Sequence, residues 1–214
     1  MATDEERGGL RRRLFAAVVA AGGERYERVV AARKRALLSE VHGTVLEIGP
    51  GAGANLRYYP ADVRWIGVEP NPYMDRYLRK EAERLGLAVE VRRGTAERLL
   101  VGDASVDAVV STLVLCSVDD LGRALRETLR VLKPGGRFVF LEHVAAPRGT
   151  WLRRLQRLVR PVWRVVADGC HPDRETDAAI AAAGFAEVRL ERFSLPMGLV
   201  GPHIAGVALK GPSP

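Results

Sequence analysis

The chain predicts a doubly wound α/β fold, a mostly parallel sheet with helices on both faces. Five short apolar runs, 45–48, 63–68, 88–91, 106–110 and 137–141, alternate with helical patterns, and the first run ends in a glycine-spaced loop. The last two strand patterns, 186–193 and 203–210, have only about ten residues between them. Strands joined by helices return in parallel through right-handed crossovers, which cover both faces and make the strands read as continuous apolar runs. The final pair lacks chain for such a crossover and is predicted antiparallel.

Taken in order, residues 1–40 are predicted to form a helical lid, built on a helix at about 7–40, over a domain spanning 41–214. Segments 54–59, 72–86, 96–100 and 119–132 lie between strands as helical connections, and the longer ones carry the 3.6-residue apolar period. Lys133-Pro134-Gly135-Gly136 stops the helix before the fifth strand. An arginine-rich helix at about 150–167 and a shorter one at 173–183 precede the terminal strand pair.

Composition excludes several classes. At 214 residues the chain suits one α/β domain with a full core, and it has no repeat or low-complexity tract. The longest uncharged run in the first two thirds, 108–118, is about half of the ~20 residues a spanning helix needs, so no integral membrane segment is expected. Residues 11–23 imitate a signal peptide, but Asp4, Glu5 and Glu6 precede a short apolar stretch, which reads as an amphipathic helix with secretion as the minor alternative. The net charge of +7 is concentrated in arginines of 7–35 and 148–164. It reads as a solvated surface that leaves room for peripheral membrane contact, and no nucleic-acid module with stacking aromatics is present. Cys116 and Cys170 lack metal-ligand spacing, so neither a zinc site nor a disulfide framework is indicated, and a reducing cytoplasm fits. Oligomeric state is not predicted.

The chemistry starts at Glu47-Ile48-Gly49-Pro50-Gly51-Ala52-Gly53. Glycines at alternating positions let the backbone turn tightly and approach a ligand where a Cβ would collide. Twenty residues beyond Gly49, the second strand ends in Glu69, placed to accept hydrogen bonds from two ribose hydroxyls. Together they predict an adenosine site. The pattern E-x-G-x-G-x-G is not the G-x-G-x-x-G of dinucleotide sites, since Ala54 replaces the third glycine, and no Lys-Ser/Thr pair marks a P-loop. It resembles motif I of the class I S-adenosylmethionine methyltransferases, which implies a Rossmann-like seven-stranded sheet with an antiparallel C-terminal hairpin and S-adenosylmethionine as cofactor.

Further strings narrow the resemblance. Lys34-Arg35-Ala36-Leu37, the run from Gly53 through Asn55 to Pro60, Pro70-Asn71-Pro72, the run Thr112-Leu113 through Cys116 to Val118, Glu142-His143-Val144, Asp168-Gly169-Cys170, Arg174-Glu175-Thr176 and Gly201-Pro202-His203-Ile204 occur in this order. Across about 24–210 the chain resembles the thiol S-methyltransferase family of methyltransferase-like proteins. Animal members carry an N-terminal hydrophobic anchor and an Asp at the position of Glu69, whereas this chain has a charged helix and the longer carboxylate. The resemblance implies that Thr95, Ala96 and Glu97 lie on the adenine side, and that Glu47 organises the loop or holds the cofactor ammonium group. Gly49, Pro50, Gly51, Gly53, Asn55, Glu69, Pro70, Asn71, Thr112 and Leu113 complete the expected cofactor contacts.

Methyl transfer from a sulfonium is an in-line displacement that depends on positioning, and a thiol acceptor reacts as its thiolate. His143, just after the fifth strand, is the first candidate for taking the acceptor's proton, because imidazole titrates near neutral pH, while a structural ring is the alternative. His203 and Asp168 follow as catalytic candidates. Cys116, Cys170 and His171 are expected to face the substrate, with simple packing as the alternative for both cysteines. The leading function is S-methylation of a small-molecule thiol. An O-, N- or C-methyltransferase acting on a metabolite or lipid headgroup, and an inactive cofactor-binding partner protein, remain alternatives.

Overall fold

The computed structural model describes residues 4–212, with the side chains of 4–8, 24 and 25 outside the description, so residues 1–3 of the expected lid are not covered. One seven-stranded sheet comprises β1 (Thr44–Ile48), β2 (Arg64–Glu69), β3 (Glu90–Arg93), β4 (Val106–Thr112), β5 (Leu132–His143), β6 (Glu187–Ser194) and β7 (Pro202–Leu209). Its order is β3-β2-β1-β4-β5-β7-β6. Strands β1 to β5 pair in parallel, and β7 pairs antiparallel with both β5 and β6. Strand order reverses between β1 and β4, the position where open α/β sheets bind ligands, and the glycine loop follows β1 there. Strand β7 takes the inner position because Ile204, Ala205 and Ala208 are buried, while β6 alternates charges such as Glu187, Arg189 and Glu191 that suit an edge.

Side-chain alternation sorts each strand onto two cores. On one face, Val45, Ala108, Val110 and Val139 pack with Leu38 at the end of α1 (Asp4–Leu38). Beside them Trp65 packs with Leu78 and Ala82 of α2 (Asp75–Leu85), whose end is closed by Gly86 in the left-handed region. On the other face Leu46, Ile48, Val109, Phe138 and Phe140 meet Leu125 and Val131 of α3 (Leu121–Val131) and Ile180 of α5 (Thr176–Ala182). The Asp120 side chain caps α3 by accepting from the Arg123 amide, and Thr150 does the same for α4 (Trp151–Val166) at Arg153.

Three local expectations are corrected. Segment 54–59 forms only the single 3-10 turn Leu56–Tyr58. Segment 96–100 is a turn, bridged between Thr95 and Arg98. It cannot coil because the Glu97 carboxylate accepts from the Asp119 and Asp120 amides at 2.8 and 3.2 Å, tying it to the start of α3. The Lys133 to Gly136 turn lies within β5: pairing with β4 jumps from Val106–Leu132 to Ala108–Arg137, and the four residues 133–136 bulge between.

Helix α1 positions the site from above. Its second half packs on the sheet, with Val30 against Leu141, Leu195 and Ala205. Its first half reaches the strand tips, where the Asn71 side chain donates to the Arg12 carbonyl at 3.1 Å and Arg11 meets Asp168 at 3.3 Å.

Candidate functional site

The cofactor end is built from the tips of β1 and β2. Gly49 has φ 59°, and a Cβ there would stand 2.6 Å from Val114 Cγ2, so only glycine lets the β4 turn close on the loop. Gly51 has φ 54°, and an added Cβ would meet nothing within 4 Å, leaving open space beside the backbone. Glu69 accepts from the Gly51 amide at 3.0 Å and from the Asn71 amide at 2.8 Å, one bond on each oxygen. Each oxygen keeps a lone pair for a ribose hydroxyl. Burial raises the Glu69 pKa against the effect of those amides, and the charge of Asp168 adds to the rise.

Glu47 organises the loop. Its buried carboxylate accepts from Asn55 Nδ2 at 2.8 Å, Tyr59 hydroxyl at 2.8 Å and Trp65 Nε1 at 2.9 Å. Asn55 Nδ2 also donates to Thr112 Oγ1 at 3.0 Å, which ties the loop to the tip of β4. Leu113 then adopts φ 57°, costly for a residue with a Cβ, with its amide on the Leu141 carbonyl at 3.0 Å. That turn aims Val114 at Gly49 and brings the Val114 amide to Glu142 Oε1 at 3.1 Å. The glycine cradle and the Glu69 oxygens suit an adenosyl group. Ala96 is buried in the neighbouring core beside Ile66 and Val68.

The residues expected to face the acceptor lie at the tips of β4, β5 and β7. His143 and His203 are register partners on β5 and β7, with ring centroids 6.4 Å apart. Tyr26 of α1 covers His203 at 5.9 Å and Phe193 flanks it at 5.5 Å. His203 Nδ1–H donates to the Gly201 carbonyl at 2.8 Å, leaving Nε2 as a buried acceptor. Burial pushes the His203 pKa down to about 4, so the ring is neutral at pH 7. Burial, with the charges of Glu142, Glu27 and Cys116, raises the Tyr26 pKa and keeps the phenol protonated. Tyr26 hydroxyl, Glu142 Oε2, His143 Nδ1 and His203 Nε2 are buried without a partner among the described residues. Buried polar groups of this kind need a ligand, water or chemical role.

Beside them His143 Nε2 stands 3.1 Å from Cys170 Sγ, which also receives the Trp163 indole N–H at 3.3 Å. The His171 amide donates to the Cys116 carbonyl at 2.8 Å, drawing the two cysteine segments together. The neighbouring Cys116 thiol and burial raise the Cys170 pKa. Asp168 stands apart from this cluster in its ion pair with Arg11. The structure thus gathers His143, His203, Cys116, Cys170 and the His171 backbone at one strand edge, with Asp168 towards the cofactor side. Sequence reasoning missed Tyr26 and Trp163, and it quoted Glu142 and Arg174 within matching strings without giving either a role. Glu142 carried a further signal, a carboxylate ending an apolar strand. A groove of about 580 Å³ between α1 and β6–β7, lined by Arg33, Leu37, Arg189 and Gly206, lies away from this chemistry.

Comparisons with known proteins agree with this geometry. A methyltransferase-domain family matches residues 46–140. The human thiol S-methyltransferase TMT1A is 40% identical over 198 residues, covering 86% of this chain and 81% of that protein. The rat thiol S-methyltransferase TMT1B is 42% identical over 192 residues, covering 83% and 78%. Among solved structures, the [4+2]-cyclase SpnF superposes with a TM-score of 0.70 at 20% identity, covering 87% of this chain and 81% of its own, which shows the fold alone. A Thermotoga maritima SAM-dependent methyltransferase superposes with a TM-score of 0.60 at 26% identity over 92% of this chain and 99% of its own. The chain belongs to the thiol S-methyltransferase family of S-adenosylmethionine-dependent methyltransferases.

Proposed function

We propose that the protein transfers the methyl group of S-adenosylmethionine to the sulfur of a small-molecule thiol, in a reducing, cytoplasmic setting. Family membership carries this reading, and the buried imidazoles and sulfurs at the acceptor end support it. A free thiol has a pKa near 8.5 and is only a few per cent thiolate at neutral pH, so the site must favour ionisation and alignment. The cofactor supplies an electrophilic methyl group beside a positive sulfur. The 49–53 loop and Glu69 hold its adenosyl part, with the 95–97 turn on the adenine side.

The chain's own groups then handle the acceptor. Tyr26 hydroxyl and His203 Nε2 orient it, the phenol as donor and the neutral imidazole as acceptor. His143 promotes loss of the thiol proton, and Cys116 and Cys170 line the same end. The first half of α1 serves as a lid on the 41–214 domain, held by Arg11 on Asp168 and by Asn71 on the Arg12 carbonyl. Closure excludes water and completes the pocket. Among the described residues no helix is long and apolar enough to cross a membrane.

The test is incubation with methyl-labelled S-adenosylmethionine and a panel of thiols, amines, phenols and quinones, read by product mass. A labelled thioether is the expected product. Transfer confined to amines, phenols or quinones, or no transfer to any acceptor, overturns the proposal.

A further inference from the structure

Cys116, His143 and Cys170 come from three separate places, the turn after β4, the last residue of β5 and the loop beyond α4, and all three are buried. One ligand atom from each lies within 4.8 Å of the other two, and the His143 Nε2 to Cys170 Sγ distance is 3.1 Å. Three such donors around a tetrahedral ion, at bond lengths of about 2.0 to 2.3 Å, stand about 3.5 to 3.8 Å apart. Small side-chain rotations convert one arrangement into the other. We propose that Cys116, His143 and Cys170 bind one soft divalent ion of the zinc class, with the fourth tetrahedral position open to the sulfur of the acceptor thiol. This rests on the thiol reading above and makes His143 act on the proton as a metal ligand.

The donor set argues for it. Two thiolates and an imidazole select zinc-like ions over magnesium or calcium, and three protein ligands with a free position mark a reactive site instead of a structural one. Metal binding has to displace the proton that burial keeps on Cys170, and two neighbours favour that exchange. The Trp163 N–H points at Cys170 Sγ, and the half-buried Arg174 guanidinium, fixed on the Leu115 and Val118 carbonyls, interacts electrostatically with both thiols. The His171 amide on the Cys116 carbonyl holds the two ligand segments at a set separation. Positions 116, 143 and 170 carry no ligand spacing, so only the fold assembles the set.

The chemistry balances without an oxidant. On coordination the acceptor's S–H bond breaks, the sulfur keeps the electron pair and the proton passes to water. The new S–CH3 bond forms as the sulfonium C–S bond breaks and leaves its electron pair on the cofactor sulfur, so the cofactor becomes S-adenosylhomocysteine and the neutral methylated thioether, a weaker ligand, departs.

The experiment titrates cobalt(II) into full-length protein that has been reduced and stripped with a chelator, under anaerobic conditions. One equivalent should give thiolate-to-cobalt charge transfer and the intense visible bands of a tetrahedral site. Charge transfer should fall by about half in Cys116→Ser and in Cys170→Ser, His143→Gln should shift the visible bands, and an acceptor thiol should add charge-transfer intensity in the wild type. Calorimetric binding of S-adenosylhomocysteine reports whether each variant is folded, and if a cysteine variant fails there, the wild-type and His143→Gln spectra decide. No thiolate charge transfer in the wild type, or none lost in the folded cysteine variants, overturns the proposal. Thiol methylation at full rate by stripped protein also overturns it while leaving the thiol reading intact, whereas cobalt binding without thiol methylation defeats the thiol reading and, with it, the role of the fourth position.

Discussion

At the β1–β2 edge Glu47 accepts from three side chains and Glu69 from two backbone amides, whereas across the switch point Tyr26, His143 and His203 each hold a buried polar atom with no partner among the described residues. The first edge is preorganised in its carboxylates, which the protein holds on its own donors, although Asn55 Oδ1 there also lacks a partner among the described residues. The second is completed by what binds there. On the function proposed here, the first edge would hold the cofactor and acceptor specificity would reside in the groups left free at the other edge.

The strongest way to break the contrast is to damage the satisfied edge. Glu47→Ala leaves the Tyr59 and Trp65 donors without their acceptor and takes one of two acceptors from Asn55, and should lower stability by about 3 to 5 kcal/mol by denaturant unfolding. A loss below about 1 kcal/mol would show that the network is not what holds the loop.

The free edge should respond to acid. The folded His203 pKa of about 4 lies below its ordinary value of 6.5, so between those pH values the unfolded chain binds more protons. Its contribution is complete above pH 6.5 and is lost as pH falls towards 4, by up to about 3 kcal/mol at 1.36 kcal/mol per unit. Unfolding of His203→Gln across that range should show a flatter curve than the wild type, and parallel curves contradict a buried neutral ring.

Returning to the satisfied edge, Glu69→Ala removes the proposed ribose acceptor and should weaken S-adenosylhomocysteine binding by about 1.5 to 3 kcal/mol, roughly tenfold to a hundredfold. Unchanged calorimetric affinity would place the ribose elsewhere. The smallest effect joins the two edges. Asp168→Asn breaks a partly exposed pair with Arg11, so stability should change by less than about 1 kcal/mol. Turnover should nonetheless fall if that pair helps close α1, and identical kinetics would separate the helix from any lid role.

Much of the satisfied edge was readable because its parts are local. Glu47, Gly49, Gly51 and Gly53 share one strand-loop unit, and Glu69 ends the next strand, so spacing and the left-handed demands of glycine were enough. The alternation of runs likewise determined the parallel strands and the terminal antiparallel pair. The 96–100 turn escaped because its conformation depends on Glu97 reaching the amides of α3, which no window of neighbours contains.

What the tertiary structure alone decided is which distant residues meet. Position 26 on α1, positions 142 and 143 on β5, and position 203 on β7 are joined by strand register and helix docking, while 116, 143 and 170 meet only because β4, β5 and the loop after α4 end at one edge. The amino-acid sequence determined the period of each element and the chemistry of its loops, because those follow from neighbouring side chains and backbone sterics. The acceptor end follows from packing across more than a hundred residues of chain, where the free energy belongs to the assembled core and to no single segment.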